Sequence, residues 1–168
     1  MDVKEELAVL ARQEQVLQFE RFDEHAAWQL GSLIYDRART EHWPLLIDVR
    51  RFERPLFLAA TAGITADNHD WVRRKSNTVQ RFLCSSYRMA LQLKSEGTDL
   101  TRRYQLAAAD YAGFGGSFPI TVYGAGVIGS VTVSGLPDWQ DHQIVVEALA
   151  TLLGKDCSTT EGQQAHAR

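Results

Sequence analysis

From Tyr111 to Pro137 the chain runs for 27 residues without a charged side chain. A transmembrane span is the tempting reading, but the composition argues against it. Seven of the chain's 12 glycines and two of its four prolines lie here, interleaved with Ser and Thr. Ile120 and Val122 alternate with Thr121 and Tyr123, and Val127, Val131 and Val133 alternate with Ile128, Ser130 and Thr132. That is the period-two pattern of strands, and Gly124-Ala125-Gly126 is a turn between them. The segment predicts a hairpin of two buried strands, at the centre of a sheet or in a subunit interface.

The remaining elements follow from periodicity. Val3, Leu7, Leu10 and Ala11 share one helical face, which predicts a helix over 3–15, and Leu17 and Phe19 alternate with Gln18 and Glu20 in a short strand over 16–22. Asp23 is the expected N-cap of a second helix with the stripe Ala27, Leu30, Ile34 and Ala38. Strands are expected at 45–50 and 56–60, joined by a hairpin through 51–54. Asp67 or Asn68 then caps a helical pattern running to Gly97, which either breaks near Cys84-Ser85-Ser86 or reaches a neighbouring subunit. Asp138 and Asp141 open the last helix, whose apolar face carries Val145, Leu149 and Leu152. Five strands in hairpins and four or five helices predict an α+β fold, an antiparallel sheet flanked by helices. One domain over 1–153 and a polar tail over 154–168 account for the chain.

At 168 residues, 45% hydrophobic and 23% charged, the composition is that of an ordinary globular domain. Lys+Arg 18 against Asp+Glu 21 gives −3, so no basic excess drives nucleic-acid binding. Neither a membrane span nor a signal peptide is expected, and two unpaired cysteines, Cys84 and Cys157, fit a cytoplasmic location.

Gly124-Ala125-Gly126-Val127-Ile128-Gly129 matches GxGxxG, but strand formers follow where a dinucleotide loop needs a helix. Gly113-Phe114-Gly115-Gly116-Ser117-Phe118-Pro119 is the stronger candidate. Adjacent glycines before a buried strand either present N–H groups to an anionic or planar ligand or let two segments approach closely. The basic concentration Arg73-Arg74-Lys75 with Arg81 and Arg88 reads as a solvated face, as salt bridges to another subunit, or as partners for ligand carboxylates near that loop. No histidine stands in a zinc-ligand spacing; His142 and His25 are the weak metal candidates, and Asp141-His142 reads as a helix-end pair before it reads as catalytic. Cys84-Ser85-Ser86 shows no base partner.

Three segments together resemble a known family. They are Trp71-Val72-Arg73-Arg74-Lys75 with Val79, Arg81-Phe82 and Ser85-Ser86; Gly115-Gly116-Ser117-Phe118-Pro119-Ile120; and Gly129-Ser130-Val131-Thr132-Val133-Ser134-Gly135-Leu136 leading to Asp141-His142. This order resembles the GlcG/HbpS-like superfamily, the haem-degrading domain group, and within it a branch of single-domain bacterial and fungal proteins of uncharacterised function. The resemblance spans about 22–153. It implies a profilin-like fold with a five-stranded antiparallel sheet, homo-oligomers, and haem as a ligand of some relatives; a related domain is appended to corrinoid adenosyltransferases. Many members carry histidine before the Gly-Gly, where this chain has Phe114, which cannot coordinate iron. The expected function is a homo-oligomeric protein binding haem or another planar or anionic small molecule. Its site is expected at Trp71, Arg74, Lys75, Arg81, Phe114, Gly115, Gly116, Ser117 and Phe118. A purely structural oligomer, or an enzyme using Asp141, His142 or Arg74, are the alternatives.

Overall fold

The computed structural model describes residues 2–157. Its elements, in chain order, are α1 (Val3–Val16), α2 (Glu24–Thr40), β1 (Leu46–Arg51), β2 (Arg54–Ala60), α3 (Ala66–Phe82), α4 (Ser86–Ser95), α5 (Leu100–Tyr104), β3 (Ser117–Val122), β4 (Gly126–Ser134) and α6 (Asp138–Leu153). The sheet has four strands in the order β2-β1-β4-β3, every pair antiparallel. Half of the charge-free hairpin lies at the centre of the sheet as expected: β4 is central, whereas β3 is a border strand. β4 is paired on both sides, so its Gly129-to-Ser134 half is buried on both faces.

The expected fifth strand is reduced to one bridge. Phe19 pairs parallel with Val122, its N–H donating to Thr121 O at 2.8 Å and its carbonyl accepting from Tyr123 N at 2.9 Å. Leu17 and Phe19 are buried as their alternation requires, and Phe22 is buried out of that phase; the three anchor a crossing segment and not a ladder. Burial alternation thus survives without the continuous backbone pairing that defines a strand.

One face of the sheet is apolar. Ile47, Val49, Phe118, Ile120, Val131 and Val133 meet Leu30 and Ile34 of α2 and Val145 and Leu149 of α6 in one core. The other face, under α3, is built of hydroxyls: Ser76 and Ser130 share a hydrogen bond of 2.8 Å, Ser117 and Thr132 one of 2.7 Å. Asp48, fully buried on β1, accepts two bonds from the Arg50 guanidinium at 2.6 and 2.7 Å. Buried polar groups persist only when paired, so this face demands a specific register of α3 on the sheet.

The long helical pattern breaks at the anticipated place. Leu83 turns left-handed at φ 56, and the Ser85 side chain caps α4 by accepting from Arg88 N. The cap of α3 is Thr65, with Asn68 at the third helical position accepting from the Thr65 N–H at 2.9 Å; Asp67 and Asn68 therefore lie inside the helix. The short α5 was not foreseen; Leu100 fills a small second core with Cys84, Met89 and Leu93. Tail residues 158–168, including His166, lie outside the described residues. Lys155 is not free: its ammonium donates to the carbonyls of Val16 and Gln18 at 2.8 and 3.2 Å. Among the described residues no helix is long and apolar enough to cross a membrane.

Candidate functional site

The basic stretch of α3 holds a loop in place. Arg73 donates to Asp110 and to Ala109 O, Arg74 to Ala108 O at 3.0 Å, and Asn77 to Asp110 O at 2.9 Å. Thr78, buried on the same helix, donates to Ala112 O at 2.9 Å. These bonds lay residues 108–112 along α3 and deliver the next residues past α4 at Gly113 and onto the start of α6 at Gly115 and Gly116. Salt bridges within the chain therefore account for Arg73, and Arg88 pairs likewise with Glu14 at 2.5 Å.

The glycines are needed for that delivery. A side chain at Gly115 would overlap the Asp138 carbonyl oxygen at the start of α6. At Gly116, whose φ of +125 disfavours any other residue, a Cβ would stand 2.6 Å from Val133 O and 2.7 Å from Lys75 Nζ. So the loop is a close approach, and what it approaches is an ion pair. Lys75 Nζ donates to Asp141 Oδ2 at 2.9 Å and to Val133 O at 3.1 Å, while Asp141 Oδ1 accepts from Leu136 N at 3.1 Å. The two side chains are 4% and 1% exposed. Burial pushes the Asp141 carboxyl up to about 6, against the pull of Lys75 and the backbone amides of Leu136 and Gly135.

Above this pair opens a cleft of about 310 Å³, lined by Asp67, Asn68, Trp71, Lys75, Phe114, Ser134, Gly135, Leu136, Asp138 and Asp141. Trp71 and Phe114 meet edge to face with ring centres 5.2 Å apart, and Phe114 is 48% exposed. The Trp71 indole donates to Asp67 Oδ2 at 3.0 Å, and the Arg74 guanidinium covers its ring at 4.6 Å.

Of the residues expected at a site, Trp71, Lys75 and Phe114 line this cleft; Arg74 stands behind Trp71, and Gly115 and Gly116 lie buried beside the ion pair. Ser117 and Phe118 are buried in the sheet, and Arg81 is exposed in the last turn of α3, outside the cleft lining. Asp141 is not a solvated helix-end carboxylate: it is the partner of Lys75. His142 turns away from it, with Nε2 3.0 Å from Gln13 Oε1, and Nδ1 has no partner among the described residues. Burial alone drives its pKa down to about 3, so the ring is neutral. His25 is exposed in the first turn of α2, and no group of three metal-ligating side chains forms among the described residues. Gly124 to Gly129 makes the β3–β4 turn and the start of β4, with Gly129 crossing the Arg50 carbonyl closely. The cleft residues that sequence reasoning missed are Asp67, Asn68, Ser134, Gly135, Leu136 and Asp138. One signal was present: Asn68, Trp71 and Lys75 recur at i, i+3, i+7, one face of α3.

Comparison with known proteins places these features. A UPF0303 protein of Pseudomonas entomophila is 65% identical over 156 residues, covering 93% of this chain and 87% of its own length. One from Acidobacterium capsulatum is 49% identical and covers 98% and 100%. Among solved structures, the Ybr137w protein superposes with a TM-score of 0.82 at 25% identity, covering 88% of this chain and 87% of its own. HbpS gives 0.61 at 21% identity, covering 82% and 93%, and a PduOC:heme complex gives 0.66 at 18%, covering 77% and 93%; these two share the fold. The family model described as haem degrading protein HbpS-like matches residues 22–150, and the chain belongs to that family.

Proposed function

We propose that this chain is a homo-oligomeric small-molecule-binding protein whose ligand is flat and lies in the cleft between α3, the Phe114 loop and the start of α6. The observation that carries the reading is the Lys75–Asp141 pair. A buried ion pair adds little net stability compared with apolar packing, so its placement under an open cleft argues for a role beyond the fold. The half-exposed Phe114 and the Trp71 edge give that cleft an aromatic wall, and about 310 Å³ lies at the small end of ligand sites. Self-assembly is supported by the family resemblance and by large apolar side chains left exposed, among them Trp28 at 62% and Leu58 at 56%. The two free thiols support a cytoplasmic setting.

Haem, the ligand in the PduOC structure, is a poor match to this donor set. None of the ten lining residues is His, Cys, Met or Tyr, the side chains that hold haem iron, and Phe114 offers only a ring.

The test is mass spectrometry of small molecules that co-purify with the chain, beside a Trp71→Ala/Phe114→Ala variant with the same oligomer profile. A compound retained by the natural chain and lost from the variant is the expected result. Retention by both would remove the cleft from consideration. In a parallel haemin titration, a Soret shift is expected from Phe114→His and not from the natural chain.

A further inference from the structure

Two carboxylates face the cleft without a counter-ion. Lys75, the one cation in the lining, is matched by Asp141. Arg74 has its charge over the Trp71 ring and its donors on Ala108 O and near Asp70. Asp67 and Asp138 have no ion-pair partner among the described residues. Each has one oxygen engaged locally, Asp67 Oδ2 by the Trp71 indole and Asp138 Oδ1 by the Trp139 backbone N–H at 2.9 Å. The opposite oxygens carry no hydrogen bond among the described residues. Asp138 opens α6 and Asp67 stands in the first turn of α3, so each helix N-terminus offsets roughly half a charge and the pair remains net negative. With one cation and three carboxylates, the lining has a formal charge of 1 − 3 = −2.

A flat anion meets repulsion here; a flat cation meets two unpaired acceptors and an aromatic wall. Deepening the reading of the cleft as a ligand site, on which it rests, we propose that the ligand is an organic cation. It is a planar ring bearing a protonated amine or amidinium group, laid against Trp71 and Phe114, with its positive group met by Asp67 and Asp138. The buried Ser134 hydroxyl, which accepts from Asn68 Nδ2 at 3.2 Å, keeps its own proton to offer a ring nitrogen or carbonyl. Aromatic faces and carboxylates together are the usual surroundings of such cations.

Three probes with one ring separate charge from shape: benzamidine, benzamide and benzoate, each titrated into the full chain while the Trp71 indole N–H is followed by NMR. Trp71→Phe identifies the signal among the four tryptophans. Benzamidine is expected to bind saturably and about tenfold more tightly than benzamide, with benzoate weaker than both. Added salt should weaken benzamidine and leave benzamide unchanged. In Asp67→Asn/Asp138→Asn, checked for an unchanged melting profile, benzamidine should fall to within about twofold of benzamide. Benzoate binding as tightly as benzamidine would overturn the charge assignment while leaving the cleft as a ligand site. No response of the Trp71 indole to any of the three would overturn the cleft itself.

Discussion

Lys75 and Asp141 are 66 positions apart in the chain and 2.9 Å apart in the fold, and the gap between them is closed by a residue with no side chain, Gly116. Their attraction, the carbonyl of Val133 and the amide of Leu136 satisfy both groups, so neither can be removed alone without leaving a buried charge. Lys75→Ala or Asp141→Ala is expected to lose about 3–5 kcal/mol of stability in urea unfolding. Lys75→Met/Asp141→Leu should regain most of it. A double variant as unstable as the singles would mean that the pair's contribution lies in packing volume.

Gly116 and Gly124 both have positive φ, +125 and +78, but only Gly116 has neighbours where a Cβ would go. Gly124→Ala is expected to cost about 1 kcal/mol, the strain alone. Gly116→Ala should cost clearly more, about 3 kcal/mol, because Val133 O and Lys75 must move. Equal losses in thermal melts would show that the loop yields more easily than its contacts imply.

His142 makes stability fall in acid. Its ordinary pKa of 6.5 drops to about 3 in the fold, so the unfolded chain binds the proton more readily. The stabilisation is fully present above pH 6.5 and is lost as pH falls from there toward 3, by at most about 1.4 kcal/mol per pH unit. Asp141, raised from 3.8 to about 6, works in the opposite sense, losing stability as pH rises through that interval. Urea midpoints from pH 7.5 to 4.5 should therefore fall less steeply in His142→Phe than in the natural chain. Parallel slopes would mean that His142 is protonated in the fold.

Phe114 lines the cleft and belongs to neither hydrophobic core. It is half exposed and packs edge-on against Trp71, a contact worth about 0.5–1.5 kcal/mol. Phe114→Ala should thus lower stability by no more than about 1.5 kcal/mol while changing Trp71 fluorescence and weakening any flat ligand. A loss as large as that of a buried phenylalanine would make the residue structural.

Elements with a strong period were legible in the sequence: the α2 stripe of Ala27, Leu30, Ile34 and Ala38 is buried throughout, and the turn at Gly124-Ala125-Gly126 joins β3 to β4. The break at Leu83 was foreshadowed by Cys84-Ser85-Ser86, because Ser85 is a good cap. Residues 16–22 misled because alternation reports burial, and a crossing segment can bury alternate side chains without a partner strand. The cleft was half legible. Trp71, Lys75 and Phe114 stood out by type and company, but Asp141 looked like a helix-dipole carboxylate, since nothing local reveals a partner contributed by another helix. Ser134 and Leu136 were hidden for the same reason: their role comes from where β4 ends over α3.

The single bridge from Phe19 to Val122 gives the sheet two unlike borders. Phe19 occupies backbone groups of β3, and Lys155 fastens the crossing segment by holding the carbonyls of Val16 and Gln18. Along β2, by contrast, no strand among the described residues lies outside. An added strand would therefore meet fewer occupied backbone groups along β2 than where Phe19 crosses the end of β3.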